Sequence, residues 1–347
     1  MFYRNTYAKI KLDNIRNNVK NIISSYSGYK YYIGVVKADT YGHNSSEVVK
    51  AIIDGGCNYL AVSSLDEALE IRKNFDTPIL CLGIIDPMYI DICIDKNIDV
   101  TIPSIDYFNK VKDKCITCHI KIDTGMNRLG IKDKDELNEI INNPSNINIK
   151  GIYTHIFNAS DPDTTNNQID KFKEITSDIN LNNIEMVHIA QSDTLINYPK
   201  IDFCNGCRLG IIMYGLTDSN LDLLDTIELC SEIIDIKKLA KGETVSYNGI
   251  YEAQTDELIG IVSIGYADGV NRHLTGAYIY INDKKYKIVG SICMDMLMVK
   301  IDETVKIHDK VYIYKDINHI KYLSNYLDTI PYELICNISK RVPRIYM

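Results

Sequence analysis

The chain has 347 residues, 46% of them hydrophobic, enough for two domains with buried cores. A formal net charge of −8 and a pI near 5.4 argue against nucleic acid and anionic membrane surfaces as partners. No apolar stretch approaches the roughly 20 residues that span a bilayer, and the N-terminus MFYRNTYAKIKLDNIRNN lacks the apolar core of a signal peptide, so a cytoplasmic protein with reduced cysteines is expected.

From the start to about residue 220, short apolar runs alternate with amphipathic stretches. The runs are residues 33–36, 59–62, 79–82, 100–102, 118–122, 147–153, 186–190 and, more weakly, 203–209. Between them lie 12–23, 45–53, 64–75, 105–111, 133–141 and 168–179, where apolar side chains recur at helical steps. Ser64, followed three residues on by Glu67, has the spacing of a capping box. Eight strand–helix repeats in about 210 residues predict a TIM-like (β/α)8 barrel. The alternative is a doubly wound open sheet; its dinucleotide-binding form needs a GxGxxG after the first strand, and none stands there. After about residue 226 the pattern changes to short β-rich segments at 257–263, 277–281, 285–291, 297–301 and 310–314. Asn282-Asp283 reads as a hairpin turn, and a short helix is expected near 317–327. The expected division is a barrel over residues 1–226, its first few residues pairing with the second domain, and a mainly β domain over 227–347.

Barrels place their chemistry at the C-terminal ends of their strands. Residues 35–44 read VVKADTYGHN, so Lys37 stands at the end of the first run. A lysine amine there can form an imine with an aldehyde; the bland alternative is a solvated lysine after a strand. The other strand ends add Tyr41, Lys121 and Arg128 in KIDTGMNRLG, His155, then His188, Gln191 and Ser192 in HIAQS, and Arg208, Gly210 and Ile211 in CRLGI. Tyr and Ser hydroxyls with the amides of Gly210 and Ile211 suit a phosphate. A phosphorylated aldehyde that needs an imine is pyridoxal phosphate. Cys115 with Cys118 and Cys204 with Cys207 have CxxC spacing, which zinc can use. The second pair abuts a strand-like run and neither is followed by the usual glycine, so core thiols and no metal are expected. Taken singly, His155 and His188 read as core histidines, Lys121 as a strand lysine, and Asp39 and Asp268 as turn or capping groups.

The stretches VVKADTYGHN, KIDTGMNRLG, GIYTH, VHIAQS, CRLGIIMYGL, VSYNGIY, SIGYADGVNR, GSICMD and RVPRIY run from residue 35 to 346. In that order they resemble the alanine racemases, a fold type III pyridoxal-phosphate family. The resemblance implies that Lys37 carries pyridoxal 5'-phosphate and acts as one acid/base. It implies that Tyr247 is the opposite acid/base, supplied in this family by the partner subunit, hence a homodimer with composite active sites. Tyr41, Ser192, Gly210 and Ile211 match phosphate-binding positions, and Arg208 matches the arginine that faces the pyridine nitrogen. Arg128 and the Met294 amide would meet the substrate carboxylate. Lys121 matches a lysine that is often carbamylated and orients that arginine. His155 and His188 match positions near the cofactor and Tyr247, and Tyr266 and Arg272 match the substrate entryway.

The implied activity is interconversion of L- and D-alanine, supplying D-alanine for peptidoglycan. Racemisation removes a proton from one face of Cα and returns one to the other, which two opposed bases do directly. A guanidinium does not give up its proton, so Arg208 would leave the ring nitrogen unprotonated; a decarboxylase on the same fold would place an acid there. A cofactor carrier built on a single barrel would lack the last 120 residues. Lys340 stands where the family often has tyrosine, Gln191 where it has asparagine, and Ser160 where an acidic residue is common. These departures leave serine or a broader amino-acid range open beside alanine.

Overall fold

The computed structural model describes residues 3–347 and divides the chain into two compact units. One comprises residues 15–40 and 45–223; the other comprises the N-terminal stretch through Asn14, residues 41–44 and residues 224–347. Strand β1 (Tyr7–Ile10) therefore belongs with the C-terminal half of the chain.

In the first unit, β2 (Tyr31–Val35), β3 (Tyr59–Val62), β4 (Ile79–Cys81), β5 (Ile98–Ile102), β6 (Thr117–Lys121), β7 (Asn148–Tyr153), β8 (Met186–His188) and β9 (Gly206–Leu209) form a closed barrel. Every neighbouring pair is parallel, and β9 returns to β2 with Tyr31 opposite Gly206. The expected (β/α)8 barrel is the observed one. Its strands read as apolar runs because helices cover the outer face. Those helices start on short polar caps. The hydroxyl of Ser45 accepts from Glu47 N–H at 2.8 Å, and that of Ser64 accepts from Glu67 N–H at 3.4 Å.

Some elements differ from expectation. The capping box at Ser64 is half formed, because the Glu67 carboxylate turns to the Ser63 amide instead of the Ser64 amide. The helix expected over 168–179 runs Pro162–Ile175, started by Asp161 and by Pro162 in the first turn; its polar opening PDTTNN hid it. Helices Ile90–Asp95 and Ser192–Asn197 have six residues each, too few to show a period.

The second unit is built on β10 (Ile227–Leu239), a strand of 13 residues. Two short strands, β11 (Thr244–Val245) and β12 (Tyr251–Glu252), form a separate hairpin. Then follow β13 (Glu257–Val262), β14 (Tyr278–Ile281), β15 (Lys284–Val289), β16 (Leu297–Ile301), β17 (Lys310–Tyr314) and β18 (Arg344–Tyr346). The sheet order is β13-β16-β15-β14-β17-β10-β1-β18, and β13 also pairs with β10, which closes the strands from β10 to β17 of this sheet into a ring. The first half of β10 pairs with β1 and β17, the second half with β13, and the register shifts between Ile233 and Asp235. That shift breaks the alternation of IELCSEIIDIKKL, so no strand was expected there. Asn282 and Asp283, with φ of 47° and 64°, make the expected two-residue hairpin turn. Helix Ile317–Tyr326 lies where one was expected, and Pro331–Cys336 adds another. Among the described residues, no helix is long and apolar enough to cross a membrane.

Candidate active site

The Lys37 backbone is unusual. Val36 N–H still donates to Ala61 O at 2.8 Å, as a strand residue would. Then Ala38, Asp39 and Thr40 at φ 52° and Tyr41 at φ 54° wind one left-handed turn. L-residues resist this region by roughly 1–2 kcal/mol each, so the surroundings must hold the turn. Thr40 N–H donates to Val36 O at 3.1 Å. Ala38 N–H donates to Glu67 Oε1 at 2.7 Å, while Glu67 Oε2 accepts from the Ser63 amide at 2.8 Å and the Ser63 hydroxyl at 3.0 Å. One carboxylate thus ties the loop after β2 to the loop after β3.

The barrel unit brings most of the expected residues together at one end. Lys121 closes β6, is 6% exposed, and donates to Ile122 O at 3.1 Å. Burial first, then the charges of Arg208 and Arg128, push its amine down to about 7. The loop carrying Arg128 is shaped by Asp123, whose carboxylate accepts from Gly125 N–H at 2.9 Å and Asn127 N–H at 3.1 Å. His155 is held neutral: burial, then the charges of Arg208, Lys121, Arg128 and Lys37, push its ring down to about 2. The Ser192 hydroxyl opens a helix and accepts from Gly210 N–H at 3.2 Å and Ile212 N–H at 3.4 Å. Ile211 begins a 3-10 turn, so its N–H has no partner within that turn.

Arg208 is almost wholly committed. Its Nη1 donates to His188 Nδ1 at 2.7 Å and His188 O at 3.0 Å, and its Nη2 to Thr154 O at 2.8 Å and Ile189 O at 2.9 Å. Nε–H is the donor for which the described residues offer no acceptor. The guanidinium also lies over the Tyr153 ring, which stacks on His188 at 4.6 Å.

The second unit holds Tyr247, Met294 and Tyr266, and all three are exposed, at 68%, 52% and 42%. Tyr247 sits between Ser246 and Asn248, both at φ 65°. Ser246 hydroxyl donates to Ser291 O at 2.7 Å and Ser291 hydroxyl donates back to Tyr247 O at 3.2 Å, so the turn is fixed although its phenol is free of the fold. Tyr266 N–H donates to Cys293 O and Ala267 N–H to Met294 O, each at 3.0 Å. Tyr247 and Met294 line one shallow pocket of about 620 Å³ with Ile234, Lys237, Met296 and Met298. Arg272 lies over the Tyr266 ring at 6.0 Å. Buried Asp268 accepts from Gly265 N–H at 3.0 Å and pairs with Arg4 and Arg341. Tyr41 falls in this unit, beside Tyr332 at 6.3 Å, and burial pushes its phenol up.

Of the departures, Gln191 is the cap of helix Ser192–Asn197, accepting from Asp193 N–H at 2.7 Å, and Ser160 bonds Asn158 at 2.7 Å. Lys340 is exposed. Cys118, Cys204 and Cys207 are buried, Cys115 is exposed, and among the described residues no group of three or more His, Cys, Asp or Glu is placed to hold a metal.

Sequence reasoning missed Asp99, His119 and Tyr59, which are buried inside the barrel behind Arg208 and His188. A signal was present. Asp99 with Thr101 on β5, and His119 with Lys121 on β6, are polar residues two apart in otherwise apolar strands, which puts each pair on the inner face.

Residues 10–218 match the family model for the alanine racemase N-terminal domain, and residues 226–346 match that for the C-terminal domain. The chain is 37% identical to alanine racemase 1 of Bacillus subtilis (strain 168), covering all of this chain and 94% of that one. It is 35% identical to the alanine racemase of Clostridium novyi (strain NT), covering 99% and 96%. Among solved structures, alanine racemase from E. faecalis superposes with a TM-score of 0.95 at 31% identity, covering 100% and 99% of the two chains. That from Clostridium difficile 630 gives 0.93 at 32%, covering 100% and 97%. With a closed barrel, a mainly β second unit and both domain models matched along its length, the chain belongs to the alanine racemase family of isomerases.

Proposed function

We propose that the chain interconverts L- and D-alanine with pyridoxal 5'-phosphate as cofactor, supplying D-alanine for peptidoglycan in the cytoplasm. The observation that carries this reading is the gathering of Lys37, Lys121, Arg128 and Arg208 around the half-buried His155. Cations collected at one place, Lys121 and Arg208 among them buried, call for anionic ligand groups, here a phosphate and a carboxylate. The residues fit the cofactor. Lys37 offers the amine, Ser192 with the amides of Gly210 and Ile211, joined by Tyr41, would hold the phosphate, and the uncommitted Nε–H of Arg208 is a donor for the ring nitrogen. When bound, the cofactor withdraws electron density from the substrate Cα and so eases proton loss.

The chain's own groups then divide the work. Lys37 holds or gives the proton on one face, and the Tyr247 phenol does so on the other. Arg128 and the Met294 amide hold the carboxylate, while Tyr266 and Arg272 flank the entry. Arg208 donates without transferring a proton, which keeps the ring nitrogen an acceptor. His155 and His188 stay neutral beside these cations. A Lys121 amine titrating near 7 is partly unprotonated at neutral pH and can take up carbon dioxide; the resulting carbamate would offset Arg128 and Arg208. Tyr247 is supplied by a second copy of the chain. Its exposure, together with exposed Ile234, Ile250, Met294 and Met296, supports a surface that another subunit covers. The departures at Lys340, Gln191 and Ser160 favour the second reading, a serine or broader range.

The test is a chiral assay of the purified, yellow holoenzyme over a panel of L-amino acids. D-Alanine should form fastest. A protein that takes up no pyridoxal phosphate, or forms no D-amino acid, would end the proposal.

A further inference from the structure

The barrel interior holds a line of polar groups that the mechanism above leaves unused. From Arg208 Nη1 to His188 Nδ1 is 2.7 Å, and from His188 Nε2 to His119 Nδ1 is 3.0 Å. His119 Nε2 then faces the Tyr59 hydroxyl at 3.4 Å and the Asp99 carboxylate at 3.8 Å. Tyr59 donates to that same carboxylate, and Lys150 Nζ reaches it at 3.2 Å. Tyr59, Asp99, His119, His188 and Arg208 are 1%, 4%, 0%, 0% and 3% exposed. Room for the line is built in. A β-carbon at Gly151, on the neighbouring strand, would lie 2.2 Å from His119 Nδ1.

The two ends decide where every proton sits. A guanidinium only donates, so His188 Nδ1 must accept and its proton must be on Nε2. That proton faces His119 Nδ1, which must therefore accept, leaving the His119 proton on Nε2. It points at the Tyr59 hydroxyl, which is left to accept because its own proton goes to the Asp99 carboxylate. Burial pushes both rings down, so each stays neutral and has a single N–H to place. Burial opposes ionisation of Asp99, but His119, Tyr59 and Lys150 outweigh it and hold the carboxyl below its usual range.

We propose that Asp99 is a positioning residue for Arg208: by fixing the tautomer of His119, and through it that of His188, it locks the Nη1 edge of the guanidinium and leaves Nε–H as the one donor for the barrel mouth. The catalytic consequence rests on the cofactor reading above, whereas the tautomers do not. Loss of the carboxylate removes the charge that His119 Nε2 faces and the group that fixes the Tyr59 hydroxyl as an acceptor, so that hydroxyl can turn its own proton toward His119 Nε2. Either imidazole can then place its proton on Nδ1, and at His188 that sets donor against donor at Arg208.

The experiment is nitrogen-15 NMR of the holoenzyme with labelled histidine, which reads each ring's tautomer from its two nitrogen shifts. Both His119 and His188 should be in the Nε2–H form around neutral pH. Asp99→Asn should mix in the Nδ1–H form at both rings and lower kcat on the order of 10-fold with KM for alanine little changed. Tyr59→Phe, which keeps the carboxylate, should leave both tautomers as they are. An imidazolium or an Nδ1–H His188 in the wild type overturns the proposal, as do unchanged tautomers in Asp99→Asn. If Asp99→Asn does not fold, the wild-type and Tyr59→Phe spectra decide. A chain with the expected tautomers that binds no pyridoxal phosphate sinks the cofactor reading and still supports this one.

Discussion

The barrel unit and the β unit prepare their chemistry in opposite ways. In the barrel, Lys121 and Arg208 are 6% and 3% exposed, and the two terminal nitrogens of the arginine are fully bonded by the fold itself. In the β unit, Tyr247 is 68% exposed on a turn whose backbone is pinned by Ser246 and Ser291. The difference teaches that a side chain can be made ready in two senses. Burial sets its charge and direction in advance, or a rigid backbone presents it to a surface that arrives later.

The comparison breaks most sharply at its two acid/base residues. Lys37→Ala should abolish the bound cofactor's visible absorbance and lower racemisation on the order of 10³-fold or more; retained colour would remove the lysine from its role. Tyr247→Phe should lower racemisation on the order of 10²-fold or more in both directions, since each needs both bases, while abstraction of the Cα proton, read as exchange with solvent deuterium, should be impaired from one enantiomer far more than from the other. Equal small losses of exchange from both enantiomers would count against a base on each face. Mixing inactive Lys37→Ala and Tyr247→Phe subunits should restore about one quarter of the wild-type activity if they associate at random, since one site in each hybrid dimer is intact. No restoration would place both residues in one chain's site.

The buried half should show itself in stability more than in rate. Gly151→Ala drives a methyl into His119 and should cost about 1–3 kcal/mol, seen as a lower thermal midpoint. An unchanged midpoint would show that the ring can move aside. The smallest effect is on pH. The unfolded chain protonates His155 near the ordinary 6.5, while the folded chain does so only near 2. Between those values the unfolded state binds more protons, so stability falls as pH falls. From about pH 6.5 to about pH 5 the midpoint of the wild type should drop more steeply than that of His155→Gln. Parallel curves would show that the ring is not held neutral.

How far the sequence could be read follows the same division. Barrel strands buried on both faces announce themselves as apolar runs, and their ends put Lys37, Lys121, His155, Ser192 and Arg208 in one region without further information. Strand β10 stayed hidden because a register shift at Ile233–Asp235 cancels its alternation. Helix Pro162–Ile175 lost its first turns to polar residues. Glu67 looked like a cap, and its tie to Ala38 depends on two loops 29 residues apart coming together. Asp99 and His119 were legible only once the strands were known to close, since a polar residue two from another on an apolar strand means little until an interior exists for both.

The left-handed turn after Lys37 has a thermal consequence. Its four residues together cost on the order of 4–8 kcal/mol, about the whole net stability of an ordinary domain. Such a segment relaxes to right-handed geometry as soon as its anchors loosen, and relaxation swings the lysine off its bearing. Warming should then bleach the enzyme and silence it several degrees before circular dichroism registers any loss of helix.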